Sequence, residues 1–125
     1  MRAKSGLESA PSDSSTVTKA TIRAAQKLNL KNKDLAPIVG LSESTVSRMM
    51  RGEYPLDPAL KSFELALLFV RLYRSLDAIV ADDSVAAKWL ANKNTALNGT
   101  PLKLIQKVDG LTNVIQYLDA RRATI

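Results

Sequence analysis

Residues 32–55 read NKDLAPIVGLSESTVSRMMRGEYP, and their spacing decides the fold. Two short helical patterns meet at Gly40. Leu35, Ala36 and Val39 face inward on the first. Ala36 is small enough to let the second helix pack close, and Gly40, four residues on, suits a turn with positive φ. Ser42 is placed to cap the second helix, its hydroxyl accepting from the backbone N–H of Ser44 or Thr45. Leu41 and Val46 occupy the two positions of a hydrophobic staple across that cap. Val46 also plugs the groove between the helices, and Leu35, Leu41 and Met49, with Met50 as alternate, complete a miniature core. An ordinary αα-corner shares some of these features. The combination is that of a helix-turn-helix of the Cro/repressor type. Pro37 then requires the first helix to start near Asp34, so that the ring falls in the first turn.

A second helix of this kind enters a major groove, which leaves Ser42, Glu43, Ser44, Ser47, Arg48 and Arg51 facing the DNA. Short hydroxyls near the helix N-terminus suit phosphate or base contacts. Arg48 has the reach and geometry to pair with guanine O6 and N7. Arg51, Lys31 and Lys33 are placed to hold phosphates, although a lone surface base is as often merely solvated. Thr45 faces partly inward. Charge agrees with a polyanionic partner: 18 Lys and Arg against 12 Asp and Glu give +6 and a pI near 9.8. The excess is concentrated in residues 1–53, where 9 basic face 5 acidic side chains, against 9 and 7 in residues 54–125.

Working outward, residues 1–16 are rich in Ser, Ala, Pro and charge and read as a flexible leader. A helical pattern from Val17 or Thr18 to Leu30 puts Ile22, Ala25, Gln26 and Leu28 inside. Beyond Gly52, Glu53–Pro58 forms a stiff connection with two prolines. Residues 59–80 form the longest helical pattern. Leu65, Leu68, Leu72, Leu76 and Ile79 share one face, and Phe63, Ala66, Leu67, Val70 and Tyr73 lie nearly opposite. Glu64, Arg71 and Ser75 make a polar strip between them. Two apolar faces mean burial on both sides, either by a second layer of the chain or by another copy. Asp82-Asp83-Ser84 caps a short helix lined by Val85, Trp89 and Leu90, with Trp89 read as core. Thr100-Pro101 is an N-cap with proline at the first helical position, and Leu102, Leu104, Ile105 and Val108 line the helix it opens. Asp109-Gly110 reads as a break. Leu111, Val114, Ile115 and Leu118 follow at the spacing of a last helix. The fold class is all-α. The expected division is a leader (1–16), a helix-turn-helix domain (17–58) and a helical domain for dimerisation and partner binding (59–125).

Absences exclude whole classes of function. With no Cys and no His there is no disulfide framework, no thiolate or imidazole metal site, and no Ser-His-Asp or HExxH chemistry. The basic start MRAKSG runs into LESAPSDSST rather than an apolar stretch. The longest apolar run, Leu65–Val70, falls far short of the ~20 residues that span a bilayer. A cytoplasmic protein without a membrane partner is expected.

The second half carries a resemblance. Trp89-Leu90, then Ala96-Leu97-Asn98-Gly99-Thr100-Pro101-Leu102, then Gly110-Leu111, Val114 and Tyr117-Leu118-Asp119 resemble the toxin-binding domain of the Xre/MbcA/ParS antitoxins. That family joins an N-terminal helix-turn-helix to this C-terminal domain, the order found here. The chain departs from it at the end, where many relatives have a glycine and this sequence reads Ala120-Arg-Arg-Ala-Thr-Ile125. The resemblance implies a type II antitoxin whose partner is a RES-domain toxin, an enzyme that consumes or transfers the ADP-ribose of NAD. It implies that the C-terminal region covers the toxin's active-site entrance and that the helix-turn-helix represses the operon. The toxin surface would comprise the turn Leu97, Asn98, Gly99, Thr100, Pro101 and the outward side of the last helix, Asn113, Gln116, Tyr117, Arg121 and Arg122. The chain itself would have no catalytic residues and bind no cofactor; the lack of Cys and His argues against a metal, and the two-faced helix with the helix-turn-helix points to a homodimer on operator DNA. A stand-alone repressor whose second half only dimerises is the alternative. An enzyme ranks third, because no catalytic constellation exists.

Overall fold

The computed structural model describes residues 14–123. The expected leader lies outside the described residues except for its last three, which begin the first helix. The helices are α1 (Ser14–Lys27), α2 (Asn32–Val39), α3 (Glu43–Met50), α4 (Lys61–Val80), α5 (Asp83–Ala91), α6 (Pro101–Leu104) and α7 (Val108–Ala123). The fold is all-α. Among the described residues the only extended pairing is an isolated bridge between Asn94 and Gly99.

The turn between α2 and α3 forms as its residues dictate. Gly40 takes φ +71°, and its N–H and that of Leu41 both reach back to the Ala36 carbonyl. Ser42 Oγ accepts from the Thr45 N–H at 3.1 Å. Val46 and Met49 are fully buried, Leu41 and Met50 half so. Pro37 departs from expectation. α2 begins at Asn32, so the ring sits inside the helix rather than in its first turn. The Lys33 carbonyl that loses its intrahelical donor belongs to an exposed residue, and Pro37 is itself exposed, so water can serve that oxygen.

In α1 the inner stripe is Val17, Thr18, Thr21, Ala24 and Ala25, with Leu28 just beyond. Gln26 is exposed, contrary to expectation. Thr18 and Thr21 are buried because each hydroxyl donates to a carbonyl one turn back, Ser14 and Val17. Thr18 Oγ1 also accepts from the Leu56 N–H at 2.9 Å. The proline-flanked connection is thereby pinned to α1, with Leu56 fully buried.

Helix α4 is the axis of the molecule. Packing against α1 and α2, and against α5 and α7, covers most of its two apolar faces from within the chain. Phe63, Ala66, Phe69, Val70, Leu72 and Leu76 are buried, and Leu67 remains 41% exposed. Phe69 belongs to neither face of the sequence reading, and Ser75, expected in the polar strip, is only 1% exposed. One continuous buried cluster runs from Val17 through α4 to Leu118. The helix-turn-helix and the C-terminal helices thus share a core. Polar ties reinforce this: Tyr73 Oη donates to Asp83 Oδ1 at 3.1 Å, and Lys27 Nζ lies 3.7 Å from Asp83 Oδ2. Burial, and then that bond, pushes the Tyr73 hydroxyl up to about 12, so it stays a donor at neutral pH.

The C-terminal half corrects three expectations. Asp82 Oδ1 caps α5 through the Ser84 and Val85 N–H groups, as expected, but Ala86 and Leu90 form the buried stripe and Val85 is exposed. Helix α6 is a single turn; Ile105 is buried past its end, and Val108 is exposed as the first residue of α7. Asp109-Gly110 is not a break. Both lie in the first turn of α7, where an acid suits the helix dipole. Gly110 is there for close approach: a Cβ on it would sit 1.9 Å from the Leu104 carbonyl oxygen.

Candidate functional site

Two surfaces gather the residues singled out from the sequence. The first is the outer side of α3. Ser42, Glu43, Ser44, Arg48 and Arg51 are exposed there, and Ser47 is half-buried. Lys31, the N-cap of α2, and Lys33 in its first turn are exposed on the neighbouring helix. The Ser42 hydroxyl is engaged locally, capping α3 and contacting Ser44 Oγ and Thr45 Oγ1 at 3.2 and 2.9 Å. The arginines are engaged as well. Arg48 lies over the Tyr54 ring, 5.5 Å from its centroid, and its Nη2 donates to Thr45 Oγ1 at 3.3 Å. Arg51 pairs with both carboxylate oxygens of Glu53 and with Ser47 Oγ. In the sequence Glu53 and Tyr54 read only as linker. The available signal was Gly52, whose φ of +80° turns them back onto α3.

The second surface is built on α7. Leu111, Val114, Ile115 and Leu118 are buried, as their spacing predicted. Asn113 and Gln116 are exposed, and Tyr117 is half-buried. Tyr117 stacks on Trp89 with ring centroids 6.3 Å apart and 16° between planes. Trp89 is therefore half-buried beside the surface rather than sealed in the core. Arg121 continues the stack, its guanidinium 5.7 Å from the Tyr117 centroid and its Nη1 donating to Tyr117 Oη at 3.4 Å.

Arg122 parts from this group. At about 100° per residue it falls on the stripe of the buried leucines, not on the side of Asn113 and Tyr117. Its Nη1 donates to Ser75 Oγ at 3.2 Å. Ser75 Oγ in turn donates to Asp119 Oδ1 at 2.7 Å, and Arg71 Nη2 donates to Asp119 Oδ2 at 2.6 Å. The Ser75 hydrogen bond, followed by the Arg71 contact, holds the Asp119 carboxyl below its ordinary range.

In the Leu97–Pro101 turn, Asn94 and Gly99 exchange backbone hydrogen bonds of 2.9 and 3.2 Å. Asn98 takes φ +57° and is exposed. Leu97, Gly99 and Thr100 are half-buried. Pro101 is buried and starts α6, and the Thr100 side chain makes no cap bond.

Comparison with known families agrees with this two-ended organisation. Residues 9–71, just over half of the chain, match the antitoxin Xre-like helix-turn-helix domain. Residues 75–123 match the antitoxin Xre/MbcA/ParS C-terminal toxin-binding domain. No curated protein matches the chain. The two matches meet between residues 71 and 75, inside the single helix α4. With both modules present in the family's order, and each seated on its own surface of one shared core, the chain belongs to the Xre/MbcA/ParS family of antitoxins.

Proposed function

We propose that this chain is a type II antitoxin that neutralises a RES-domain toxin and represses its own operon. The observation that carries this reading is the pairing of the two modules on one rigid axis. α3 presents Arg48 and Arg51 outward, and the C-terminal half presents the Trp89–Tyr117–Arg121 stack and the Arg71–Asp119–Arg122 cluster. Aromatic and arginine side chains held in place are the types that dominate protein interfaces. In this reading they cover the entrance through which NAD reaches the toxin, with arginine taking the place of the cofactor's phosphates. The NAD chemistry is the toxin's, and the antitoxin contributes no catalytic group, cofactor or metal.

On DNA the chain works as a homodimer, since a two-fold operator asks for two recognition helices about one helical turn, ~34 Å, apart or a multiple of that. The half-exposed Leu67 supports a contact with the second copy on this face. It opens onto a cleft of about 360 Å³ lined by Val17, Ala20, Val70 and Arg74 among others. Toxin and operator are both cytoplasmic in this reading. Among the described residues, no helix is long and apolar enough to cross a membrane. Co-expression with the product of the adjacent gene, followed by copurification and an assay of NAD turnover, tests the proposal. Failure to copurify with, or to inhibit, a neighbouring RES-domain protein would favour a stand-alone repressor.

A further inference from the structure

Both arginines on the outer face of α3 are held by the protein itself. The Arg51 guanidinium makes three hydrogen bonds, Nη1 to Ser47 Oγ at 2.8 Å, Nε to Glu53 Oε2 at 3.3 Å and Nη2 to Glu53 Oε1 at 3.2 Å. Arg48 rests over the Tyr54 ring and on Thr45 Oγ1. Glu53 and Tyr54 reach back because of the turn before them. The Gly52 N–H donates to the Met49 carbonyl at 2.9 Å and the Glu53 N–H to the Arg48 carbonyl at 2.8 Å. Nothing lies within 4 Å of where a Gly52 Cβ would stand. The positive φ, not crowding, is therefore what asks for glycine here.

Stability does not account for Glu53. The Arg51–Glu53 pair is exposed, 55% and 56% by side chain, and such pairs contribute little to folding. On a face that meets phosphates, a carboxylate also opposes non-specific attraction. What the fork-to-fork pair does accomplish is to fix a long, rotamer-rich side chain in one direction before binding. A side chain already ordered loses less entropy when it docks, and it docks in one register.

Resting on the operator-binding reading above, we infer that Glu53 is a specificity-determining positioning residue. By pairing with Arg51 it aims that side chain and keeps it from indiscriminate phosphate contact, while its neighbour Tyr54 aims Arg48. Neither needs to touch a base.

The test uses the full chain and two duplexes, one selected by the unmodified protein from a random library and one of scrambled sequence, across a range of salt. Glu53→Gln removes the charge and leaves the size unchanged. The expected result is tighter binding to the scrambled duplex and a selected-to-scrambled ratio lower by about fivefold, with a salt slope steeper by up to about one. In an Arg51→Gln background the same change leaves the ratio unaltered, because Glu53 acts through Arg51. Tyr54→Phe retains the ratio, since the ring is kept, whereas Tyr54→Leu lowers it. Melting temperatures separate these effects from loss of fold, and Glu53→Gln is expected to melt with the unmodified chain. An unchanged ratio for Glu53→Gln, or an equal effect without Arg51, overturns the inference and leaves the operator reading standing. If the unmodified chain selects no sequence, the operator reading itself fails and this inference falls with it.

Discussion

The buried hydroxyl of Ser75 in α4 donates to the carboxylate of Asp119 in α7 at 2.7 Å, across 44 residues of sequence. The same carboxylate accepts from Arg71 at 2.6 Å, and Ser75 accepts from Arg122 at 3.2 Å. Four polar groups thus close the seam between the central helix and the last one. They do so where the helix-turn-helix match ends and the toxin-binding match begins. A polar group buried in such a seam is costly to leave unpaired.

That relationship predicts acid sensitivity. Asp119 titrates below its ordinary 3.8 in the folded chain, chiefly through the Ser75 hydrogen bond. A carboxyl depressed on folding contributes stability above its unfolded pKa and loses it as pH falls through the folded one. Asp119→Asn should therefore melt lower than the unmodified chain at pH 7, and the gap should begin to narrow below about pH 4 and go on narrowing as pH falls. Asp119→Ala, which leaves the Ser75 hydroxyl with one partner fewer, should cost about 1–2 kcal/mol at pH 7. Thermal melts of the three proteins from pH 2.5 to 7 check this, and a gap that persists at low pH would assign the effect to shape rather than charge.

Gly110 gives a second stability prediction. A Cβ there would lie 1.9 Å from a backbone oxygen, which cannot turn aside as a side chain would. Gly110→Ala should cost about 2–3 kcal/mol by forcing α6 away from α7. Gly99→Ala, whose Cβ would have the flexible Leu104 side chain as its nearest neighbour at 3.4 Å, should stay within about 0.5 kcal/mol. Equal denaturation midpoints for the two variants would contradict the close approach.

Local chemistry explains which features the sequence revealed. The positive φ at Gly40, the Ser42 cap, the Pro101 start and the Leu111–Leu118 stripe each depend on residues within one or two turns. Gly110 read as a break because a glycine that ends a helix and one that admits a neighbouring carbonyl look alike without the neighbour. Ser75 read as surface because its partners, Asp119 and Arg122, are far away in sequence. Pro37 reads as a first-turn residue because the sequence alone does not show that the carbonyl it orphans can reach water. Glu53 and Tyr54 read as linker for a related reason: only the turn at Gly52 brings them onto the outer face of α3.

For the DNA surface, Arg48→Ala should weaken specific binding by about 1–3 kcal/mol and relax preference at one base pair. Lys33→Ala should weaken all sequences alike and lower the salt slope by about one. Binding isotherms on selected and scrambled duplexes distinguish the two roles. A uniform loss for Arg48→Ala would remove it from base readout.

Self-association is tested at Leu67. Val70 is only 8% exposed, so a charge there would damage the fold, whereas Leu67 at 41% can be changed with the core intact. If a second copy covers this face, Leu67→Glu should give a folded monomer, because burying an unpaired carboxylate at the contact is unfavourable. Leu72→Glu should instead abolish folding, since Leu72 is fully buried. Sedimentation at micromolar concentration, read beside circular dichroism, decides the matter. A folded monomer for the unmodified chain would refute the dimer.

The toxin-facing prediction rests on how α7 ends. Arg121 lies on the Tyr117–Trp89 stack, while Arg122 reaches the opposite way to Ser75. Deleting residues 121–125 removes both arginines but none of the buried stripe, and Ser75 keeps its bond to Asp119. Fold and DNA binding should therefore survive, with a stability loss near 1 kcal/mol for the lost Arg122 contact. If the arginines occupy the place of the cofactor's phosphates, the same deletion should raise the antitoxin concentration needed for half-inhibition by tenfold or more, about 1.4 kcal/mol. Arg121→Ala should account for the larger part, because Arg122 must first give up Ser75 before it can reach a partner. The measurement is NAD turnover by the cognate toxin, titrated with full-length chain, truncated chain and each single variant. Superimposable inhibition curves would mean that the tail is only a helix end, and that any blocking comes from Asn113, Gln116, Tyr117 and the Leu97–Pro101 turn.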